Sequence, residues 1–304
     1  MRVAVIGLGD IADKAYLPVL AATAGVTPVL VSRRRATVDA VGERYRVAER
    51  FTSLDDAIAT GLDAATVHAP TAVHPEVVET LLRHRVPVLV DKPLAQDHAT
   101  AAALVSLAAR LGVSLAVGFN RRHAPAVRAL AEWPDLDVVT LQKHRSHPLG
   151  RARAMVFDDF IHVLDTLRFL VPSTLADLTV SVRGGGGGTA RRLAVHFTGE
   201  DGRLATGVMS WTAGMSHEVL DVVGDGRRRQ VVDLADVVDL AGQERLTRRD
   251  GWRPATELRG FDAMCAEFLS AVAAGLVLDA TDALATHELC ERVVEAAEAV
   301  TGRG

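Results

Sequence analysis

Asp158, His162 and Asp165 are separated by four and three residues. On an α-helix this spacing sets all three on roughly one face. An imidazole titrates near neutrality, so it can give or take a proton during a reaction. A carboxylate one turn away can orient the ring and favour its charged form. Asp159 competes for that role but stands at the wrong helical angle to His162. Asp165 reads equally well as a supporting residue or as a solvated acid. Two ligands do not make a metal site, and no cysteine or histidine cluster accompanies them, so none is expected.

A second candidate is Lys92. Of 34 basic residues only Lys14, Lys92 and Lys143 are lysines. Composition bias explains the surplus of arginine equally well, yet only lysine offers an amine that can lose its proton. Lys92 sits in Asp91-Lys92-Pro93, directly after the apolar run Val86–Val90. An X–Pro bond tolerates the cis form, which would fix a turn there.

Gly7-Leu8-Gly9-Asp10-Ile11-Ala12 fits the G-x-G-x-x-G/A dinucleotide fingerprint. The first glycine allows a tight turn and the second lets backbone approach a pyrophosphate. The small last residue lets helix and strand pack closely. The helix start supplies N–H groups and the positive end of its dipole. The pattern is weak alone; its place between an apolar strand and a helix makes it specific. The second strand ends in Ser32-Arg33-Arg34-Arg35, with no acid before Asp39. An NAD site usually has an acid there to accept from the ribose 2′-hydroxyl. Arginines suit a 2′-phosphate instead, so NADP(H) is expected over NAD(H), read by Ser32, Arg33 and Arg34.

The elements that must hold these residues follow from patterning. Apolar runs at Val3–Ile6, Val29–Val31, Ala64–Val67, Val86–Val90 and Ser114–Val117 alternate with helical stretches. That rhythm predicts an α/β fold, with a parallel sheet covered on both faces. After about Phe119 it changes. A helix over Asp158–Leu170 precedes strands at Leu175–Val182, Arg191–Phe197, Arg203–Trp211 and His217–Val223. The Gly184–Gly188 run reads as a hairpin tip. The expectation is a Rossmann domain over 1–120 and an α+β domain with an open, mostly antiparallel sheet over 121–304. Two closing helices, about Phe261–Ala274 and Thr281–Val300, could pack back on the first domain.

The 304 residues carry a formal net charge of -4, so no basic surplus favours nucleic acid. Val3–Leu8 is too short for a leader, and no long uncharged apolar stretch suggests a membrane span. Cys265 and Cys290 form no CxxC pair, which suits a reduced, cytoplasmic protein.

The order of these motifs resembles the Gfo/Idh/MocA oxidoreductases. Besides the glycine turn it includes Ala69-Pro70-Thr71 with His74, Asp91-Lys92-Pro93, and Asp158 to Asp165. It extends to Phe261 and His287-Glu288-Leu289. Gly118-Phe119-Asn120-Arg121-Arg122 and Asp158-Asp159-Phe160-Ile161-His162 look most like the MviM-type members. The resemblance implies that Lys92 polarises the reacting oxygen, His162 is the acid or base, and Asp158 positions His162 or substrate. It places Gly7, Leu8, Gly9, Asp10, Ile11, Ala69, Pro70, Thr71, His74, Asp91, Lys92, Asn120 and Arg121 beside the cofactor. The family pattern has Glu where Asp91 stands, which puts a ribose contact by Asp91 in doubt. Arg122 stays open between site and surface, and His144, Arg145 and His147 are candidates to line a polar pocket. The resemblance implies a small polyhydroxylated substrate such as a sugar, cyclitol or nucleotide-sugar. It also implies a homo-oligomer, dimer or tetramer, through the second sheet. An NADP-binding regulator without catalysis is the alternative; it is disfavoured because both Lys92 and His162 are kept.

Overall fold

A computed structural model describes residues 1–301. The chain forms two compact units: Met1–Gly118 with Phe261–Ala285, and Phe119–Gly260 with the chain from Thr286.

The first unit is built on β1 (Arg2–Ile6), β2 (Thr27–Val31), β3 (Arg50–Phe51), β4 (Ala64–Val67), β5 (Val88–Asp91) and β6 (Leu115–Gly118). All pairings are parallel, in the order β3-β2-β1-β4-β5-β6. Successive side chains of a strand point to opposite faces, and β1 shows this directly. Val3 and Val5 join a core with Tyr16, Leu17, Leu20, Phe261 and Phe268. Ala4 and Ile6 join another with Val78, Leu81, Leu82, Leu104 and Val105. Burying each large side chain stabilises the unit by about 1.5–3 kcal/mol, which is why the strands read as unbroken apolar runs. Helix His98–Leu111 starts where the Asp97 side chain accepts from the Thr100 N–H, and it ends at Gly112 in the left-handed conformation.

The sequence predicts the helix after β1 over about Ile11–Ala24 with a kink at Pro18, and the irregularity is a π-turn just before that proline. Residues Ala12–Tyr16 form a π-turn, followed by α-helix over Leu17–Ala22. Pro18 has no N–H to donate to the preceding turn, and a wider turn accommodates that loss.

The second unit carries β7 (Leu136–Ser146), β8 (Gly150–Arg151), β9 (Leu175–Gly184), β10 (Thr189–Gly199), β11 (Leu204–Ser210) and β12 (Thr212–Gly224). It continues with β13 (Arg227–Val232), β14 (Asp236–Ala241) and β15 (Gln243–Thr247). The order is β15-β14-β13-β12-β7-β11-β10-β8, with β9 paired to β10. Only β7 and β11 run parallel; every other pairing is antiparallel. The helix over Ile161–Leu170 packs on β7 and β11. Gly207 in β11 permits that approach: a Cβ there would lie 2.5 Å from Val163 Cγ1 and 2.9 Å from Leu167 Cδ1.

Two expectations for this unit need correction. The strands over 227–247 were not among those expected. Their arginines and half-exposed faces lack the apolar alternation that marks a core strand, and β15 is exposed throughout. A local signal existed: Asp225-Gly226, with φ of 52° and 68°, forms the turn that joins β12 to β13. The helix expected from Asp158 begins earlier, at Ala152, and passes through a π-turn over Val156–Phe160. Asp158 lies inside that turn and is exposed, whereas His162 and Asp165 are buried. The regular one-face argument therefore holds from His162 onward but not across Asp158.

No helix among the described residues is long and apolar enough to cross a membrane.

Candidate functional site

In the first unit the candidate residues gather at the carboxyl ends of parallel strands. Gly7 follows β1, Ser32 follows β2, His68 and Ala69 follow β4, and Asp91 closes β5. The strand order reverses between β1 and β4, and open α/β sheets bind nucleotides in the crevice at such a reversal. Gly7 has a φ of +86°, and a Cβ on it would come within 2.7 Å of the His68 carbonyl carbon and the Ala69 Cα. Glycine is thus required twice, by its backbone angle and by the approach of the loop after β4. Gly9 is different: a Cβ there would meet nothing within 4 Å. The Gly9 carbonyl accepts from the Asp13 N–H at 3.0 Å, at the start of the following helix. Leu8 is buried, while Asp10 and Ile11 are exposed, and Asp10 pairs with Lys14 at 2.7 Å.

Around this turn lies a cluster that sequence reasoning only partly found. His74 is buried, with Nδ1 2.8 Å from the Pro93 carbonyl and Nε2 2.7 Å from the Ala69 carbonyl. Both partners are acceptors, so a neutral ring donates to one of them at a time. The ring links the Ala69-Pro70-Thr71 turn to the Lys92-Pro93 turn, whose peptide bond is cis. Asp91 Oδ1 accepts from the Lys92 N–H at 3.0 Å and from the Tyr16 hydroxyl at 3.3 Å. Burial pushes the Asp91 carboxyl up, against the pull of Lys92 and His74. The carboxylate is therefore engaged within the fold, which extends the doubt about its contact with a ribose.

Tyr16 and His68 were missed. Tyr16 is fully buried and its ring centroid lies 3.9 Å from that of His68. Both ring nitrogens of His68 are buried without a hydrogen-bond partner, and burial followed by the nearby His74 pushes the ring down to about 3. Such orphaned groups are rare and costly. The signal was a histidine at the carboxyl end of an otherwise apolar strand, one residue before Ala69.

A dinucleotide fits these residues. Gly9 leaves room for a pyrophosphate next to the turn, and His68, buried against Tyr16, closes the strand end behind it. Arg33 and Arg34 are exposed after β2 and hold no ion pair among the described residues. Ser32 is half-buried beside them. Asp39, the nearest following acid, is occupied by Arg35 at 2.9 Å and Arg50 at 3.8 Å.

In the second unit, His162 is buried on the helix Ile161–Leu170. Asp165, one turn on, is not a solvated acid. It is buried, accepts from Arg122 Nη2 at 2.6 Å and Nε at 3.0 Å, and accepts from the Thr286 hydroxyl at 3.1 Å. Burial pushes its carboxyl up, opposed by Arg122. Arg122 is correspondingly a paired, mostly buried cation rather than a surface charge. Asn120 Nδ2 donates to the Arg259 carbonyl at 2.8 Å. Arg121 grips Glu218 through two bonds of 2.9 and 2.7 Å. Both residues thus have partners within their own unit. Asp159 accepts from Trp211 Nε1 at 3.0 Å and lies 3.0 Å from Arg145 Nε.

A cavity of about 330 Å³ opens on this unit, lined by residues that include Arg121, Lys143, His144, Arg145 and Glu218. Lys143 is a third residue that sequence reasoning passed over, despite its rarity. Burial, with Arg121 next, pushes its ammonium down to about 7. His144 is lowered as well, by burial and the nearby His217. His147 is exposed, and the cavity lining does not include it. Among the described residues, no group of three or more metal-type side chains gathers.

Comparison with known proteins agrees with this construction. A model of the oxidoreductase family with NAD-binding Rossmann fold matches residues 1–119. A second, for the YceM-like C-terminal domain, matches residues 127–240. "Putative oxidoreductase YceM" of Salmonella typhimurium is 34% identical over 97% of this chain and 96% of its own length. The myo-inositol dehydrogenase Hyg17 of Streptomyces leeuwenhoekii is 37% identical over 56% of this chain and 55% of its own. The crystal structure of a Gfo/Idh/MocA family oxidoreductase from Vibrio cholerae superposes with a TM-score of 0.91 at 33% identity, covering 97% of both chains. The match of residues 1–119, and the similarity to these relatives over nearly the whole chain, show that it belongs to the Gfo/Idh/MocA family of NAD-binding oxidoreductases.

Proposed function

We propose that the protein is an NADP(H)-dependent dehydrogenase that interconverts a hydroxyl and a carbonyl group on a small polyhydroxylated molecule. The observation that carries this proposal is the carboxyl edge of the first sheet. There the open space over Gly9, the unpaired Arg33 and Arg34, and the Asp91-Lys92-Pro93 turn share one parallel sheet. When bound, the nicotinamide supplies the hydride acceptor or donor. The protein's own groups handle the oxygen. The Lys92 ammonium donates to it and holds the charge that develops there. His162 takes the hydroxyl proton in oxidation and returns it in reduction, with Asp158 orienting the ring or the substrate. The similarity to a myo-inositol dehydrogenase supports a cyclitol or sugar as substrate.

Ser32, Arg33 and Arg34 select the 2′-phosphate. Each charge-assisted hydrogen bond contributes about 1.5–3 kcal/mol, so losing one costs roughly ten- to hundredfold in affinity. Arg33→Ala should weaken NADPH by that factor and leave NADH nearly unchanged; tighter binding of NADH by the natural protein would reject the preference. Lys92→Ala should lower turnover about 10²–10³-fold with cofactor affinity kept. Undiminished turnover would reject the catalytic scheme, and NADPH binding with no turnover of any polyol would favour a regulator.

A further inference from the structure

Lys143 continues the inward-facing row of β7 that begins with Val139 and Leu141. An apolar side chain would satisfy that position, yet an amine stands there only 3% exposed. Its contacts are poor. Nζ lies 3.4 Å from the Asp159 carbonyl and 3.7 Å from Asp159 Oδ1. An ammonium carries three donors, and one long bond does not satisfy them.

The nearby carboxylates are already committed elsewhere. Glu218 is directly opposite Lys143 in the β7–β12 ladder, but both its oxygens are held by Arg121. Asp159 is shared between Trp211 and Arg145. Arg121 itself, 5% exposed, uses Nε and Nη2 on Glu218, and its Nη1 makes no hydrogen bond among the described residues. The cavity rim adds exposed Arg249 and Arg259. Five cations in the lining thus face two acids, Glu218 and Asp233. Buried charge without a partner is disfavoured unless something supplies the missing charge. The cavity volume of about 330 Å³ is at the small end of the range for small-molecule sites.

We propose that this cavity binds the oxyanion group, carboxylate or phosphate, of a small polyhydroxylated acid, with Lys143 as its buried ammonium contact and Arg121 Nη1 beside it. Arg259 and Arg249 steer the anion at the rim, and Asp233 and His144 are placed to meet hydroxyls. Calling this ligand the substrate rests on the dehydrogenase proposal; the binding itself does not. The groups facing Lys143 are Arg121, Asp159, Arg145 and Glu218. Binding of an anion above pH 7 therefore takes up one proton at Lys143. Affinity falls by up to tenfold per pH unit there.

The test is calorimetric titration of the full chain, without cofactor, with gluconate, glucose 6-phosphate and glucose at pH 6.5. At least one anionic probe should bind ten times more tightly than glucose or better, and whichever of the two wins identifies the oxyanion. Lys143→Met, checked for folding by its melting transition, should lose that advantage tenfold or more. Arg259→Gln, at the exposed rim, should lose about threefold. Equal affinity for glucose, or full anion affinity in Lys143→Met, overturns the inference. Oxidation of neutral polyols with NADP⁺ in a protein that binds no anion overturns it while leaving the dehydrogenase proposal standing. Anion binding that depends on Lys143, with no oxidation of any polyol or bound acid, supports the inference and overturns that proposal.

Discussion

Replacing Lys143 by methionine should stabilise the second unit while removing anion binding, and the gain should depend on pH in a calculable way. Burial holds the folded ammonium near 7, whereas a lysine in the unfolded chain titrates near about 10.4. The gap of roughly three pH units, at about 1.4 kcal/mol each, corresponds to about 4 kcal/mol. Between these limits the unfolded chain binds more protons than the folded one, so unfolding free energy rises with pH. The cost is fully present below pH 7 and disappears above the unfolded value. From pH 7 to 8.5 the natural protein should gain about 2 kcal/mol. Cys265, pushed up to about 12, and Tyr16, raised by burial, act in the opposite direction. Their unfolded forms ionise first, so they remove stability, but only as pH passes their unfolded values of about 8.5 and 10. The 7–8.5 window therefore isolates the lysine. The methionine stem fills the same row beside Val139 and Leu141, so Lys143→Met should be several kcal/mol more stable at pH 7 and flat across the window. Urea unfolding followed by tryptophan fluorescence, to which the buried Trp211 bonded to Asp159 contributes along with Trp133 and Trp252 of the same unit, reads this. Equal slopes for the two proteins would refute the claim that Lys143 is a buried, poorly compensated charge.

Gly9→Ala and Gly7→Ala should behave as opposites. The first meets open space and should keep the melting temperature while weakening NADPH, whereas the second forces a Cβ onto the His68–Ala69 backbone at positive φ and should destabilise the first unit by more than about 2 kcal/mol. Asp165→Ala leaves Arg122 without its buried carboxylate and should cost about 3–5 kcal/mol in denaturant unfolding; a loss below about 1 kcal/mol would mean that the pair contributes little. His68 is held neutral in the fold down to about 3, so its contribution to stability is lost as pH falls from about 6.5 to 3, with a limit of about 4–5 kcal/mol. His68→Phe should blunt that acid loss, as measured by the unfolding midpoint from pH 6.5 to 4.

The features legible in the sequence are those written in neighbouring residues. Val3–Ile6 followed by Gly7-Leu8-Gly9 specifies a buried strand, a turn with positive φ and a helix start, because each depends on local sterics and on a period of two or 3.6 residues. The hairpin tip within Gly184–Gly188 and five of the six parallel strands follow from the same local rules, whereas the two-residue β3 left no apolar run to read. Strands β13–β15 escaped because a half-exposed strand needs little apolar alternation; its backbone bonds come from its neighbours. The helix over Asp158 was misread in phase because its π-turn shifts which residues share a face. Only tertiary structure decided which charges find partners. Arg121 meets Glu218 97 residues away, Tyr16 meets Asp91 75 residues away, and Arg122 meets Asp165 43 residues away. Lys143 is exceptional for the same reason: its weak pairing, one long bond and one long ion pair with Asp159, follows from carboxylates that other cations or donors already hold. Periodicity travels along the chain, whereas burial and charge pairing exist only once distant segments have been brought together.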